Sequence, residues 1–369
     1  MIYLLSFILV IGLPVFLHEL GHFMAARSVG IRVEKFYIGF NLFGLGIKKK
    51  YGDTEYGIGL FPLGGYVKVA GILDESMDSE STGSDDEFRA KNTFQKIWFL
   101  SAGVIMNFIL SSFIFAIFVF VNGYTEIVDK PIIKEVQKTI FYEDLMEKEV
   151  LSPAFSLGLL PGDKILAINS IEVNTWTEMS NIIHNNPNKS IRVKWNSYEQ
   201  NKIFENEITT FMRPAFKDGK MKNIGILGIS PDYNLKSAGV FFSAYKGLEQ
   251  TFSWINLMFS SLWALVTGNI SVDQMSGPLG IATVAGDTAQ NGGIVALFML
   301  MAIISVNLGI INILPIPGLD GGHVFIAIIE GLRRKELPLK VKYGIQSFGF
   351  ILIMILFVFV FFNDIRNLM

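Results

Sequence analysis

The sequence predicts a mostly α-helical polytopic membrane protein, with four transmembrane helices, a membrane-associated β-hairpin or sheet, and one inserted α+β domain. Three observations predict it. Of 369 residues, 51% are hydrophobic and only 17% charged, with a mean hydropathy of +0.43, well above a soluble chain of this size. Four apolar stretches approach or exceed the ~20 residues that cross a bilayer. One interior region alone carries the short alternating strands of a water-facing domain.

The first stretch, residues 1–27, has no basic leader and no small-residue cleavage site, so it reads as a retained span rather than a signal peptide. The other three, 97–121, 294–314 and 343–362, contain no charged residue. A fifth stretch, 250–269, holds Trp254, Asn256, Trp263 and several serines, which suits a helix lying along the membrane surface. Residues 30–71 mix glycine, aromatic and β-branched residues and predict β structure. Residues 74–88, rich in Asp, Glu and Ser, predict a mobile acidic loop. The resulting domains are an N-terminal membrane core (1–123), the inserted domain (124–230), an amphipathic surface segment (231–272) and a C-terminal membrane core (273–369).

Charge sets the expected orientation. Arg27, Arg32, Lys35 and Lys48–Lys50 follow the first span, and Arg333, Arg334, Lys335, Lys340 and Lys342 precede the last. Both clusters are expected in the cytoplasm, and the inserted domain outside it. A net charge of −2 offers no basic patch for nucleic acid, and the absence of cysteine removes disulfides, thiolate ligands and thiol nucleophiles together. Nothing in the pattern specifies an oligomeric state.

The strongest chemical signal is His18-Glu19-Leu20-Gly21-His22 inside the first span. Histidines four apart share a helical face and can reach one Zn²⁺, while Glu19 sits roughly 60° from His22, close enough to act on a zinc-bound water. Three ionisable groups in an apolar helix are costly unless paired, solvated or ligated. Zinc needs a third protein ligand. Asp320, which ends an apolar span among Pro315, Pro317, Gly318, Gly321 and Gly322, needs a cationic partner and is the first candidate. His323 is the competitor, and His184 lies far off in the inserted domain. With four spans, His22 and Asp320 reach the same membrane face; a fifth span would separate them. Two rivals, a metal-free membrane scaffold and a transporter with an ion relay, fit less well. The first leaves the metal motif unexplained, and the inverted repeats expected of the second are not visible.

The segment from Ser152 to Val173, with its "GL.PGD.I..IN" spacing, resembles a PDZ domain. The H-E-L-G-H helix, "PLGGYVKV", this PDZ-like module and "N....N..P.P.LDGGH" occur in an order that resembles the site-2 protease family, in the branch of the bacterial regulator of sigma-E protease. The resemblance runs from about residue 1 to 362 and implies an intramembrane zinc metalloprotease of the bacterial inner membrane. It implies substrates that are single-span membrane proteins, such as anti-sigma factors or remnant signal peptides. Residue by residue, it implies His18, His22 and Asp320 as zinc ligands and Glu19 as general base. Asn307, Asn312, Gly57 and Gly59 would lie near substrate, the glycines within an exposed strand edge spanning 55–69. Two departures stand out: one PDZ-like module rather than two, and Ala102-Gly103-Val104 with Asn107 where the family usually has "AGP...N".

Overall fold

In the computed structural model, residues 1–41, 46–72, 83–141, 149–217, 220–269 and 275–368 are described. The chain divides into two compact units, residues 1–119 with 240–369, and residues 120–239.

The first unit is built on long helices: α1 (Ile2–Ser28), α2 (Thr93–Asn122), α5 (Val240–Val266), α6 (Pro278–Ile313), α7 (Asp320–Arg333) and α8 (Leu339–Leu368). Among the described residues, α1, α2, α6 and α8 are the helices long and apolar enough to cross a membrane. Val10 of α1, Leu110, Ile114 and Phe115 of α2, and Ala285, Leu297, Met301 and Ala302 of α6 form their shared core. Most of α8 presents large apolar side chains outward, Phe350, Ile351, Ile355 and Phe362 among them, as a lipid-facing helix does.

The helices have two chemically distinct ends. At one, the Tyr3 hydroxyl donates to Asp287 at 2.7 Å. There too the Asp364 carboxylate of α8 accepts from the backbone N–H groups of Gly277, Leu279 and Gly280 at 2.8, 2.9 and 3.1 Å, capping α6 from another helix. At the other end, Lys342 pairs with Glu330 at 2.7 Å and Lys96 with Glu336 at 3.6 Å. The start of α1, the start of α6 and the end of α8 therefore gather opposite the starts of α2 and α8, as four alternating spans require.

α1 runs unbroken through Pro14, which is buried within it. Two details differ from the sequence expectation. α6 begins sixteen residues before position 294 but is interrupted at Gly293, whose φ of 68° and ψ of −167° leave the helical region. The expected span thus follows a real break, and a glycine carries it because that conformation is closed to other residues. The helix expected at 250–269 is α5, which begins ten residues earlier. Its buried face is small and polar (Ser243, Gly247, Thr251), and its exposed face holds Phe241, Phe252, Phe259 and Trp263. The small residues let it lie against α2, where the Ser112 hydroxyl donates to Thr251 at 2.9 Å.

Four strands, β1 (Val33–Phe40), β2 (Gly46–Tyr51), β3 (Thr54–Gly59) and β4 (Phe61–Val69), form one sheet in the order β2-β3-β1-β4. β1 runs parallel to β3 and antiparallel to β4. Val33 and Val69 of the sheet pack with Ala26, Phe99, Leu100 and Ala327 of the helices. Tyr37 is 1% exposed and donates to Glu55 at 2.5 Å; burial first, then that hydrogen bond, push its hydroxyl up to about 12. The acidic loop expected at 74–88 lies partly outside the described residues, but its last part is packed. Asp86 pairs with Arg32 at 3.3 Å, and Glu87 is 1% exposed.

The second unit contains two short helices, α3 (Pro153–Leu157) and α4 (Trp176–His184), and a four-stranded sheet including Lys164–Ile168, Ser190–Ser197 and Lys202–Thr209. Alternate residues Ile191, Val193 and Trp195 point into a core with Met179 and Ile183 of α4. Thr175 and Glu178 close a capping box at the start of α4. The Asp163 carboxylate accepts from the N–H groups of Leu160 and Tyr198, both at 2.9 Å, and Asn169 takes a left-handed turn at φ 50°. The compact unit is wider at both ends than the expected 124–230.

Candidate metal centre

His18 and His22 lie one turn apart on the buried face of α1, 5% and 6% exposed. Each turns Nε2 toward the same point. The two Nε2 atoms are 3.2 Å apart, and Asp320 Oδ2 is 3.0 Å from that of His18 and 3.3 Å from that of His22. Among the described residues these three side chains form the one cluster able to hold a metal, with ligand atoms all within 4.8 Å of one another.

Asp320 reaches the histidines through the way the chain turns after α6. Pro315 and Pro317 cannot continue a helix, and Gly318 at φ 92° turns the backbone. Asp320 is then the first residue of α7, where the exposed N–H groups of a helix start favour a carboxylate. His323, one turn further on, is directed to α8 instead, with its ring 3.1 Å from the Gln346 amide. It is not a member of the cluster. His184 ends α4 in the other unit.

The far sides of both imidazoles meet α2. His22 Nδ1 is 2.8 Å from the Phe99 carbonyl, and His18 Nδ1 is 3.2 Å from the Asn107 amide. Two glycines permit this approach. A Cβ on Gly21 would stand 2.5 Å from the Ala102 carbonyl oxygen. A Cβ on Gly103 would stand 2.5 Å from His22 Nε2 and 2.7 Å from His18 Nε2. Gly103 and Asn107, four residues apart on one face of a mostly apolar helix, lie against the two histidines but were not among the residues expected to form the site. The signal was a polar residue set one helical turn from a glycine at membrane depth.

Of the residues expected near substrate, Asn312 is at the cluster, its amide nitrogen 3.3 Å from His18 Nε2. Asn307 lies five residues earlier on α6, about 140° around the helix, so the two asparagines cannot share a face. No hydrogen bond joins Asn307 to the three clustered side chains among the described residues.

Gly57 and Gly59 are not on a free strand edge. They lie in β3, an interior strand, with Gly57 between Lys48 of β2 and Tyr37 of β1, and Gly59 opposite Gly46. A Cβ at Gly57 would enter the Tyr37 ring, 2.1 Å from its nearest atom, so this glycine serves sheet packing. The strand beside the cluster is β4, outermost in its sheet, where a Cβ on Gly65 would stand 3.2 Å from Cγ of the half-buried Glu19.

Two imidazole nitrogens and one carboxylate oxygen make a donor set that suits zinc and leaves a further position open. The lack of a Cβ at Gly103 keeps the space beside Nε2 of both histidines clear. The residues therefore fit the metal.

Comparison with known proteins agrees. The sequence profile of peptidase family M50 matches residues 6–356. The chain is 31% identical to the zinc metalloprotease RasP of Geobacillus kaustophilus, over 99% of this chain and 98% of that one. It is 32% identical to a protein of Clostridium acetobutylicum named as a candidate zinc metalloprotease, over 97% and 96%. A protein of Agrobacterium fabrum named in the same way is also 32% identical, over 99% and 96%.

Proposed function

Since this chain belongs to peptidase family M50, the site-2 zinc metalloproteases, we propose that His18, His22 and Asp320 hold its zinc and that Glu19 is its general base. The observation that carries this reading is the convergence of two histidines and an aspartate about 300 positions apart onto one point, with ligand atoms within 4.8 Å.

The protein is a multi-pass membrane enzyme of the site-2 type, acting on membrane proteins within the bilayer. The finer reading is hydrolysis of a peptide bond in the transmembrane segment of a single-span protein, of the anti-sigma factor or remnant signal peptide kind. Zinc, when bound, supplies Lewis-acid polarisation of the scissile carbonyl and acidifies the attacking water. Glu19 accepts the water proton on its carboxylate and returns it to the leaving nitrogen. Asn312 donates its amide N–H toward the substrate backbone beside His18. A substrate helix hides its peptide groups in its own hydrogen bonds and must open before attack. An opened stretch can pair with the outer edge of β4, which the approach of Gly65 to Glu19 favours over Gly57 and Gly59.

Residues 120–239 form the PDZ-like module of this reading. Its Gly162 turn, the strand from Lys164 and helix α4 support the likeness. A groove of about 610 Å³ runs along α4, lined by Trp176, Ser180, His184, Arg213 and Ile226, and offers a place for an extended peptide. The basic residues around Arg27 and Arg333 support a bacterial inner-membrane protein with that end of its helices cytoplasmic and its PDZ-like module extracytoplasmic.

The test is Glu19→Gln beside His18→Ala in purified protein. Glu19→Gln is expected to keep a full complement of zinc and cleave no membrane substrate, and His18→Ala to lose zinc. Cleavage by Glu19→Gln at the wild-type rate, or full zinc in His18→Ala, overturns the assignment.

A further inference from the structure

A histidine that ligates through Nε2 must carry its one proton on Nδ1, and that proton needs an acceptor. For His22 the acceptor is the Phe99 carbonyl at 2.8 Å, a group that can only accept. For His18, the side chain at Nδ1 among the described residues is Asn107, fully buried in α2, with its nitrogen end 3.2 Å away. The other end of that amide, Oδ1, is buried and has no hydrogen-bond partner among the described residues. A half-turn about the terminal torsion exchanges the two ends without changing the shape of the side chain.

The geometry points to Asn107 as a positioning residue of the metal centre. Its amide oxygen accepts from the Nδ1–H of His18, fixing the ring and leaving Nε2 as the metal donor. The inference rests on the proposed metal site and extends it to α2. Both imidazoles are then held from behind by the same helix, one by a main-chain carbonyl and the other by a side chain two turns later.

Helix packing does not account for this side chain. The bonds that join α2 to α6 here run from the Ser111 hydroxyl to the Ala302 carbonyl at 2.8 Å and from the Ser305 hydroxyl to the Asn107 main-chain carbonyl at 2.9 Å. Substituting the side chain leaves those bonds in place. Its role toward His18 and its place in the helix can therefore be separated.

The experiment compares full-length wild type, Asn107→Leu and Asn107→Asp in detergent. It measures zinc affinity by chelator competition and the visible spectrum after cobalt(II) substitution. Leu has nearly the same shape and no acceptor, and it is expected to weaken zinc about 10–100-fold and shift the cobalt spectrum. Asp keeps an acceptor and is expected to stay within a few-fold of wild type with an unchanged spectrum. Wild-type affinity in Asn107→Leu overturns the proposal, as does an Asp variant no better than Leu. If Leu fails to fold, nitrogen NMR of zinc-loaded wild type with labelled histidine decides. A proton on His18 Nδ1 supports the proposal, and a bare Nδ1 ends it. Failure of the metal site itself reads out elsewhere, as full zinc retention in His18→Ala.

Discussion

Gly103 lies within van der Waals reach of both imidazole rings, which makes Gly103→Ala the sharpest single perturbation of this centre. The added methyl would lie 2.5 Å from His22 Nε2 and 2.6 and 2.7 Å from Cε1 and Nε2 of His18, whereas ordinary contact begins near 3.4 Å. The rings or α2 must yield by roughly 0.9 Å, against a tolerance of about 0.2 Å for metal–ligand distances. α2 has little room to retreat, because Ala102 and Val104, which flank Gly103 in it, are themselves buried. Overpacking of this kind costs about 1–3 kcal/mol. Charged to metal binding alone, that is about a 5- to 150-fold loss of zinc affinity. Chelator competition gives the affinity and thermal unfolding in detergent gives the stability. The expected pattern is a large loss of zinc with a modest loss of fold. If Gly103→Ala binds zinc as tightly as wild type, the close approach of α2 to the imidazoles is not a constraint and the reasoning fails.

Three further outcomes follow from other parts of the fold. Gly57→Ala should disrupt the sheet by displacing Tyr37, with a lowered unfolding temperature and unchanged zinc stoichiometry; loss of zinc with an intact sheet would restore Gly57 to the site. Asp364→Ala removes the acceptor for three N–H groups at the start of α6 and should cost about 0.5–2 kcal/mol, read as a fall in thermal stability. In a topology assay, Met275→Cys and Lys335→Cys should label from opposite faces of the membrane, and labelling from one face would refute four alternating spans.

Much of this architecture was legible in the sequence because the bilayer imposes a simple code. Three spans without charge, and a metal motif inside the span that precedes them, are read directly from the residues. Asp320 was legible for the same reason, since a carboxylate among helix breakers at membrane depth needs a partner. What stayed hidden depended on which strand neighbours which. The glycine-rich run 55–69 contains both an interior strand and an outer one, and only pairing separates Gly57 in β3 from Gly65 in β4. The contribution of α2 was hidden because a main-chain carbonyl such as that of Phe99 leaves no mark in a sequence. Gly103 and Asn107 were visible as a motif, but their purpose appears only when α1 is laid against them. Asn307 and Asn312 look alike in sequence, and the helical turn between them decides that only one faces the histidines.

The three residues proposed to hold the metal lie far apart in the chain, two in the first span and one just before the last. During synthesis the imidazoles enter the lipid long before the carboxylate leaves the ribosome. A nascent chain that stops short of residue 320 holds two of the three proposed donors, and one that stops short of residue 364 leaves the start of α6 without its carboxylate acceptor. On the proposed ligand set, the three donor atoms can converge only after synthesis has passed residue 320.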